Sequence, residues 1–132
     1  MNRTATADLR SVVLVGHGAA GKTTLAEALL AAAGAITSRG SVERGNTVCD
    51  FDPLEKTFGH SIASAVASFS WQGRQVQLID TPGYPDFAGQ AIAGLAGADT
   101  ALVVINAQAG IELSTERMMR RAGERGLCRM IV

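Results

Sequence analysis

Gly16-His17-Gly18-Ala19-Ala20-Gly21-Lys22-Thr23 follows directly on the apolar run Val12-Val13-Leu14-Val15. The stretch matches G-x-x-x-x-G-K-[ST] at every fixed position. Its flanks also fit, with a strand-like run before it and a helix-forming run after it. Gly18 and Gly21 let the backbone pass close to a phosphate, because no side chain blocks the approach. Successive N–H groups and the positive end of the next helix then face anionic oxygens. Lys22 adds a point charge for β and γ oxygens, and the Thr23 hydroxyl suits Mg²⁺. Gly16, His17, Gly18, Ala19, Ala20, Gly21, Lys22, Thr23 and Thr24 are therefore the expected lining of a nucleoside triphosphate site.

Working outward, three apolar runs read as buried parallel strands: residues 12–15, 101–105 and 127–132. Lys22 to Ala33 is rich in Ala and Leu, and Gly34 stops it. Asp86 to Ala98 reads as a helix of small residues. Ile111 to Arg125 reads as another, with Ile111, Met118, Met119 and Ala122 toward one side. Ala63–Ser70 and Arg74–Ile79 flank Trp71-Gln72-Gly73 and predict a hairpin. Alternating strands and helices predict an α/β domain, and the phosphate loop after its first strand makes the expected fold class that of the phosphate-loop NTPases. Its sheet is mostly parallel with one antiparallel edge strand, and helices cover both faces. Residues 34–61 show no sustained period, and a long irregular segment inside a domain points to function or disorder.

The 132 residues suit one domain with a core. Lys plus Arg and Asp plus Glu are 12 each, so composition supplies no electrostatic case for binding free DNA. Cys49 and Cys128 fit neither a metal spacing nor a disulfide framework, and free thiols in a reducing compartment are expected. Met1 to Asp8 carries no apolar leader and no stretch reaches membrane-span length, which predicts a cytoplasmic protein with no membrane partner. Cys128-Arg129-Met130-Ile131-Val132 reads as the start of a core strand with no exit loop, so the chain is expected to be the N-terminal piece of a longer protein.

Val76-Gln77-Leu78-Ile79-Asp80 sets a carboxylate at a strand end, and Thr81-Pro82-Gly83 turns the chain sharply. In phosphate-loop enzymes that carboxylate sits beside the metal and the glycine N–H reaches the γ-phosphate. Here the chain resembles a family. Asp80-Thr81-Pro82-Gly83 resembles the second switch of translational GTPases. Asp50-Phe51-Asp52-Pro53-Leu54-Glu55-Lys56 with Gly59-His60-Ser61-Ile62 resembles the first switch of elongation factor G. Asn106 to Glu112 and Thr115-Glu116 resemble that family's segment after its fourth core strand. The resemblance runs from about Val12 to Val132. It implies a ribosome-acting GTPase that uses GTP/GDP and Mg²⁺, with residues 1–132 as the N-terminal part of the GTP-binding domain. Residues 34–62 would be the first switch region and 80–87 the second. Thr23, Ser61 and Asp80 would hold the metal, Ser61 standing where the family has threonine. Lys22 and Gly83 would reach the γ-phosphate.

The departures from that pattern matter as much. Tyr84 stands where translational GTPases carry the histidine that positions the attacking water. A phenol titrates near pH ~10 and cannot act as a near-neutral acid or base, yet it can hydrogen-bond a water. Tyr84, Gly83 and Lys22 are accordingly the expected catalytic positions, and hydrolysis slower by as much as ~10²–10⁴-fold is expected. Ala19 replaces an aspartate of the loop, and Phe58 and His60 replace the family's arginine and isoleucine. His60 reads as a mobile loop histidine without chemistry. His17 reads as a packing residue of the loop. Asp50, Asp52 and Glu55 read as solvated loop charges. Arg117, Arg121 and Arg125 form a basic stripe, read as a solvated helix face. By the same resemblance the Asn-Lys-x-Asp segment that selects guanine in the family should begin just beyond Val132, and the domain is expected to be truncated before it. Three readings remain: a GTP-hydrolysing switch on the ribosome, a GTP-dependent binding switch with little hydrolysis, and a phosphate-loop ATPase of another class.

Overall fold

Leu9–Val15 (β1) is the middle strand of a five-stranded sheet. A computed structural model describes residues 5–132, so the reading of Met1 to Thr4 lies outside the described residues. On one side β1 pairs in parallel with Arg74–Asp80 (β3), and on the other with Thr100–Val103 (β4). Ala65–Trp71 (β2) runs antiparallel to β3, and Cys128–Ile131 (β5) runs parallel to β4. The order is β2-β3-β1-β4-β5, with the expected antiparallel strand at one edge. Parallel register sets Leu14 opposite both Asp80 and Leu102. The C-terminal ends of β1 and β3 therefore lie side by side, where open α/β sheets bind their ligands.

The unbroken apolar run of β1 is explained by burial on both faces. Val13 and Val15 pack with Ala91 and Leu95 of Ala88–Ala96 (α3) and with Met118 and Ala122 of Leu113–Glu124 (α4). Leu14 points the other way, onto Ala26 and Leu30 of Lys22–Ala32 (α1), with Leu78, Ala65 and Ala67 beside it. Burying each of Leu14, Leu30 and Leu78 contributes about 1.5–3 kcal/mol, and all three are nearly inaccessible.

Several local expectations need correction. Trp71 belongs to β2 and pairs with Arg74. The turn is Gln72-Gly73, with φ 47° and 77°, as a two-residue hairpin of matching twist requires. The segment 34–61 contains a helix, Pro53–Phe58 (α2). Asp52 caps it, accepting from the Leu54 N–H, while the Glu55 side chain accepts from the Asp52 N–H. Ile111 lies ahead of α4 and is 72% exposed, whereas Met118 and Ala122 carry the buried face. β5 pairs in parallel with β4, as expected, and among the described residues it is exposed along its length. Cys49 is a buried free thiol and Cys128 an exposed one. Burial first, then surrounding carboxylates, push the Cys49 thiol up to about 12. Among the described residues no helix is long and apolar enough to cross a membrane.

Candidate functional site

The chain leaves β1 at Gly16, where φ is 144° and a Cβ would sit 2.3 Å from the Val104 carbonyl oxygen. Only glycine lets the loop begin this close to the end of β4. Gly21, in the left-handed region at φ 98°, precedes α1 and turns the chain into it. Ala19 also holds a positive φ of 59°, a strain of about 1–3 kcal/mol for a residue with a Cβ.

Lys22 is buried, and its Nζ donates to the carbonyl oxygens of Gly16 at 3.2 Å and His17 at 2.6 Å. Burial lowers its pKa, and Asp80 opposes that shift. His17 takes part in the loop through this carbonyl; its Nε2 meets Glu112 Oε2 at 2.6 Å. That pairing ties the phosphate loop to the segment after β4, in keeping with a loop-structuring residue.

The Thr23 hydroxyl donates to Asp80 Oδ2 at 2.6 Å. The Ser61 hydroxyl donates to Asp50 Oδ1 at 2.6 Å, and Thr47 donates to Asp50 Oδ2 at 3.0 Å. Thr23 Oγ1 and Ser61 Oγ lie 3.4 Å apart. Each hydroxyl directs its proton to a carboxylate, so lone pairs of two hard oxygens face one region. Asp80 Oδ1 is buried and has no hydrogen-bond partner among the described residues. Burial first, with a contribution from Asp50, raises the Asp80 carboxyl from 3.8 to about 6, against the pull of Thr23 and Lys22. An orphaned buried carboxylate oxygen beside two hydroxyl oxygens fits a small hard divalent cation. Among the described residues no three His, Cys, Asp or Glu converge, so hydroxyls would complete such a site.

Gly83 presses onto the loop: a Cβ there would meet Lys22 Nζ at 2.3 Å and the His17 carbonyl oxygen at 2.5 Å. Thr81 fixes this turn by donating to the Leu14 carbonyl at 2.6 Å. The Tyr84 ring lies over Gly18, where a Cβ would stand 2.9 Å from it. Gly18, Ala19, Gly21, Lys22, Thr23, Thr24, Asp50, His60, Ser61, Gly83 and Tyr84 line one cleft of about 260 Å³. Gly16, His17, Ala20 and Asp80 are not part of that lining.

Three acidic residues play parts the sequence did not suggest. Glu27 of α1 is 1% exposed and accepts from the Gly40 N–H at 2.7 Å and the Val48 N–H at 2.6 Å. Asp50 and Glu55, read as solvated, are buried. Glu55 Oε1 accepts from the N–H groups of Ile62 and Ala63, tying the approach to β2 onto α2. His60, read as a loop histidine, packs against Tyr84 with ring centroids 4.6 Å apart. Arg117, Arg121 and Arg125 are exposed as expected, with Arg121 paired to Glu124.

A mostly parallel sheet with its phosphate loop, helix N-terminus and Asp80 turn at the C-terminal ends of β1 and β3 defines a phosphate-loop GTPase-like domain. The chain belongs to the elongation factor Tu GTP binding domain family, which it matches over residues 7–132. It is 48% identical over 124 residues to the elongation factor G-like protein of Mycobacterium tuberculosis, covering 94% of this chain and 17% of that protein. It is 39% identical to the mitochondrial ribosome-releasing factor 2 of Yarrowia lipolytica, over 92% of this chain and 15% of that one. A crystal structure of a Thermus thermophilus protein superimposes with a TM-score of 0.90 at 45% identity, over 95% of this chain and 19% of that one. The chain thus spans less than a fifth of the length of each of these relatives.

Proposed function

We propose that this chain is the nucleotide-binding part of an elongation factor G-like translation factor that binds GTP with Mg²⁺ and hydrolyses it on the ribosome. The observation that carries the reading is the Thr23–Asp80 hydrogen bond, which joins the phosphate loop to the turn that bears Gly83 and Tyr84. Lys22 would exchange its loop carbonyls for β and γ oxygens, since an ammonium gains more from a phosphate than from neutral acceptors. Thr23, Ser61 and Asp80 would hold Mg²⁺, which when bound neutralises charge on the β and γ oxygens. Gly83 would present its N–H to the γ-phosphate, and Tyr84 would orient water by hydrogen bonding. Residues 34–62 and 80–87 would be the two segments ordered by that phosphate. The names of the relatives, an elongation factor G-like protein and a ribosome-releasing factor, favour the ribosome as partner and the cytoplasm or an organelle's translation compartment as location.

Tyr84 favours a second reading, a GTP-dependent ribosome-binding switch with little hydrolysis. GTP turnover by the complete protein, with and without ribosomes and beside Tyr84→His, separates the two. Stimulation by ribosomes in the unmodified protein supports the GTPase. Stimulation only in the histidine variant supports the binding switch, and none in either refutes the ribosomal assignment.

A further inference from the structure

His60 and Tyr84 come from different segments and meet beside Lys22 and Ser61 in the cleft. Their rings stand 4.6 Å apart at 51°. Phe58 stacks on the imidazole at 5.9 Å and 20°, and Phe87 lies 6.1 Å away. The ring is therefore held by aromatic neighbours rather than loose in solvent. His60 Nδ1 lies 3.3 Å from the Ser61 carbonyl oxygen. A carbonyl only accepts, so in the neutral ring this contact places the proton on Nδ1 and leaves Nε2 to accept. Gly18 completes the arrangement, since the absence of a Cβ is what admits the Tyr84 ring.

We propose that His60 is a positioning residue for GTP hydrolysis, sharing with Tyr84 the orientation of the attacking water. The inference rests on the reading of this cleft as a GTPase site. A phenol offers one rotating O–H and lone pairs on the same atom, which fixes a water at one point. An in-line attack needs the water's lone pair aimed, and a second anchor supplies that constraint. His60 Nε2 is the acceptor available for it. In the step itself, the water oxygen forms a bond to the γ-phosphorus. The bond from that phosphorus to the bridging oxygen breaks, and its electron pair leaves with GDP. One water proton stays on the released phosphate and the other passes to solvent. His60 and Tyr84 orient the water and gain no net proton.

Single-turnover GTP hydrolysis by the complete protein with ribosomes tests this, together with the affinity for a fluorescent GTP analogue. His60→Phe keeps the aromatic packing and removes the acceptor. It should slow hydrolysis on the order of 10²-fold while leaving analogue affinity within about threefold. His60→Gln, whose amide oxygen accepts, should recover about tenfold of that loss. His60→Phe combined with Tyr84→Phe should be little slower than the worse single variant, because both side chains hold one water. A His60→Phe rate within about threefold of the unmodified protein overturns the proposal, as does a His60→Gln rate no better than His60→Phe. If His60→Phe does not fold, His60→Leu is read in its place by the same criteria. No hydrolysis by the unmodified protein refutes the underlying functional reading instead, and the proposal falls with it.

Discussion

Replacing Glu27 by alanine should release the segment between α1 and α2 while leaving the sheet intact. The carboxylate sits in a helix at 1% exposure, and its two oxygens serve the Gly40 and Val48 N–H groups at 2.7 and 2.6 Å. A hydrogen bond to a charged group contributes about 1.5–3 kcal/mol, so the pair contributes about 3–6 kcal/mol. The freed N–H groups can reach water by peeling away, which caps the loss near the lower figure. About 3 kcal/mol corresponds to a shift on the order of 10² in the local opening equilibrium. Amide hydrogen exchange reads this directly. Gly40 and Val48 should exchange roughly 10²-fold faster in Glu27→Ala, with Val13 and Leu14 unchanged. Exchange at Gly40 and Val48 within about threefold of the unmodified protein would refute the claim that this carboxylate anchors the proposed first switch. If the core amides accelerate equally, the anchor is global rather than local, and the reasoning fails in a different way.

Gly83→Ala should cut guanine-nucleotide affinity by on the order of 10²-fold or more, because its Cβ would fall 2.3 Å from Lys22 Nζ and 2.5 Å from a backbone oxygen. Equilibrium titration with a fluorescent nucleotide checks it, and unchanged affinity would contradict the close approach. Asp80 predicts a pH dependence. Its carboxyl is raised from 3.8 to about 6, so between those values the folded state holds a proton that the unfolded chain has lost. Without Mg²⁺ the protein should therefore lose stability as pH rises from about 4 to about 6, by about 3 kcal/mol from this group. Thermal unfolding in metal-free buffer should show that loss diminished in Asp80→Asn; identical profiles would refute it.

Much of the site was legible because phosphate binding is backbone chemistry written in local sequence. The G-x-x-x-x-G-K-[ST] spacing, the strand before it and the Asp80-Thr81-Pro82-Gly83 turn each sit within a few residues. The hairpin, the antiparallel edge and the helices on both faces followed from the same local periodicities. The α2 helix was legible too and was missed: Asp52-Pro53-Leu54-Glu55 carries a capping residue, a proline at the first turn and a glutamate at the third position. Its shortness hid it, since six residues cannot show a helical period.

Glu27, Asp50 and Glu55 were not legible. A carboxylate's burial depends on which N–H and O–H groups the fold brings to it, and several of those lie far along the chain. His60 belongs with them, because only packing decides whether a loop histidine meets Tyr84 or water. The sequence by itself determined the phosphate loop, the strand and helix periods, and the acidic turn, because each is specified by neighbours in the chain. Tertiary structure alone decided the carboxylate anchors, the orphaned oxygen of Asp80 and the His60–Tyr84 contact. Each of these depends on distances between segments that the fold must first bring together.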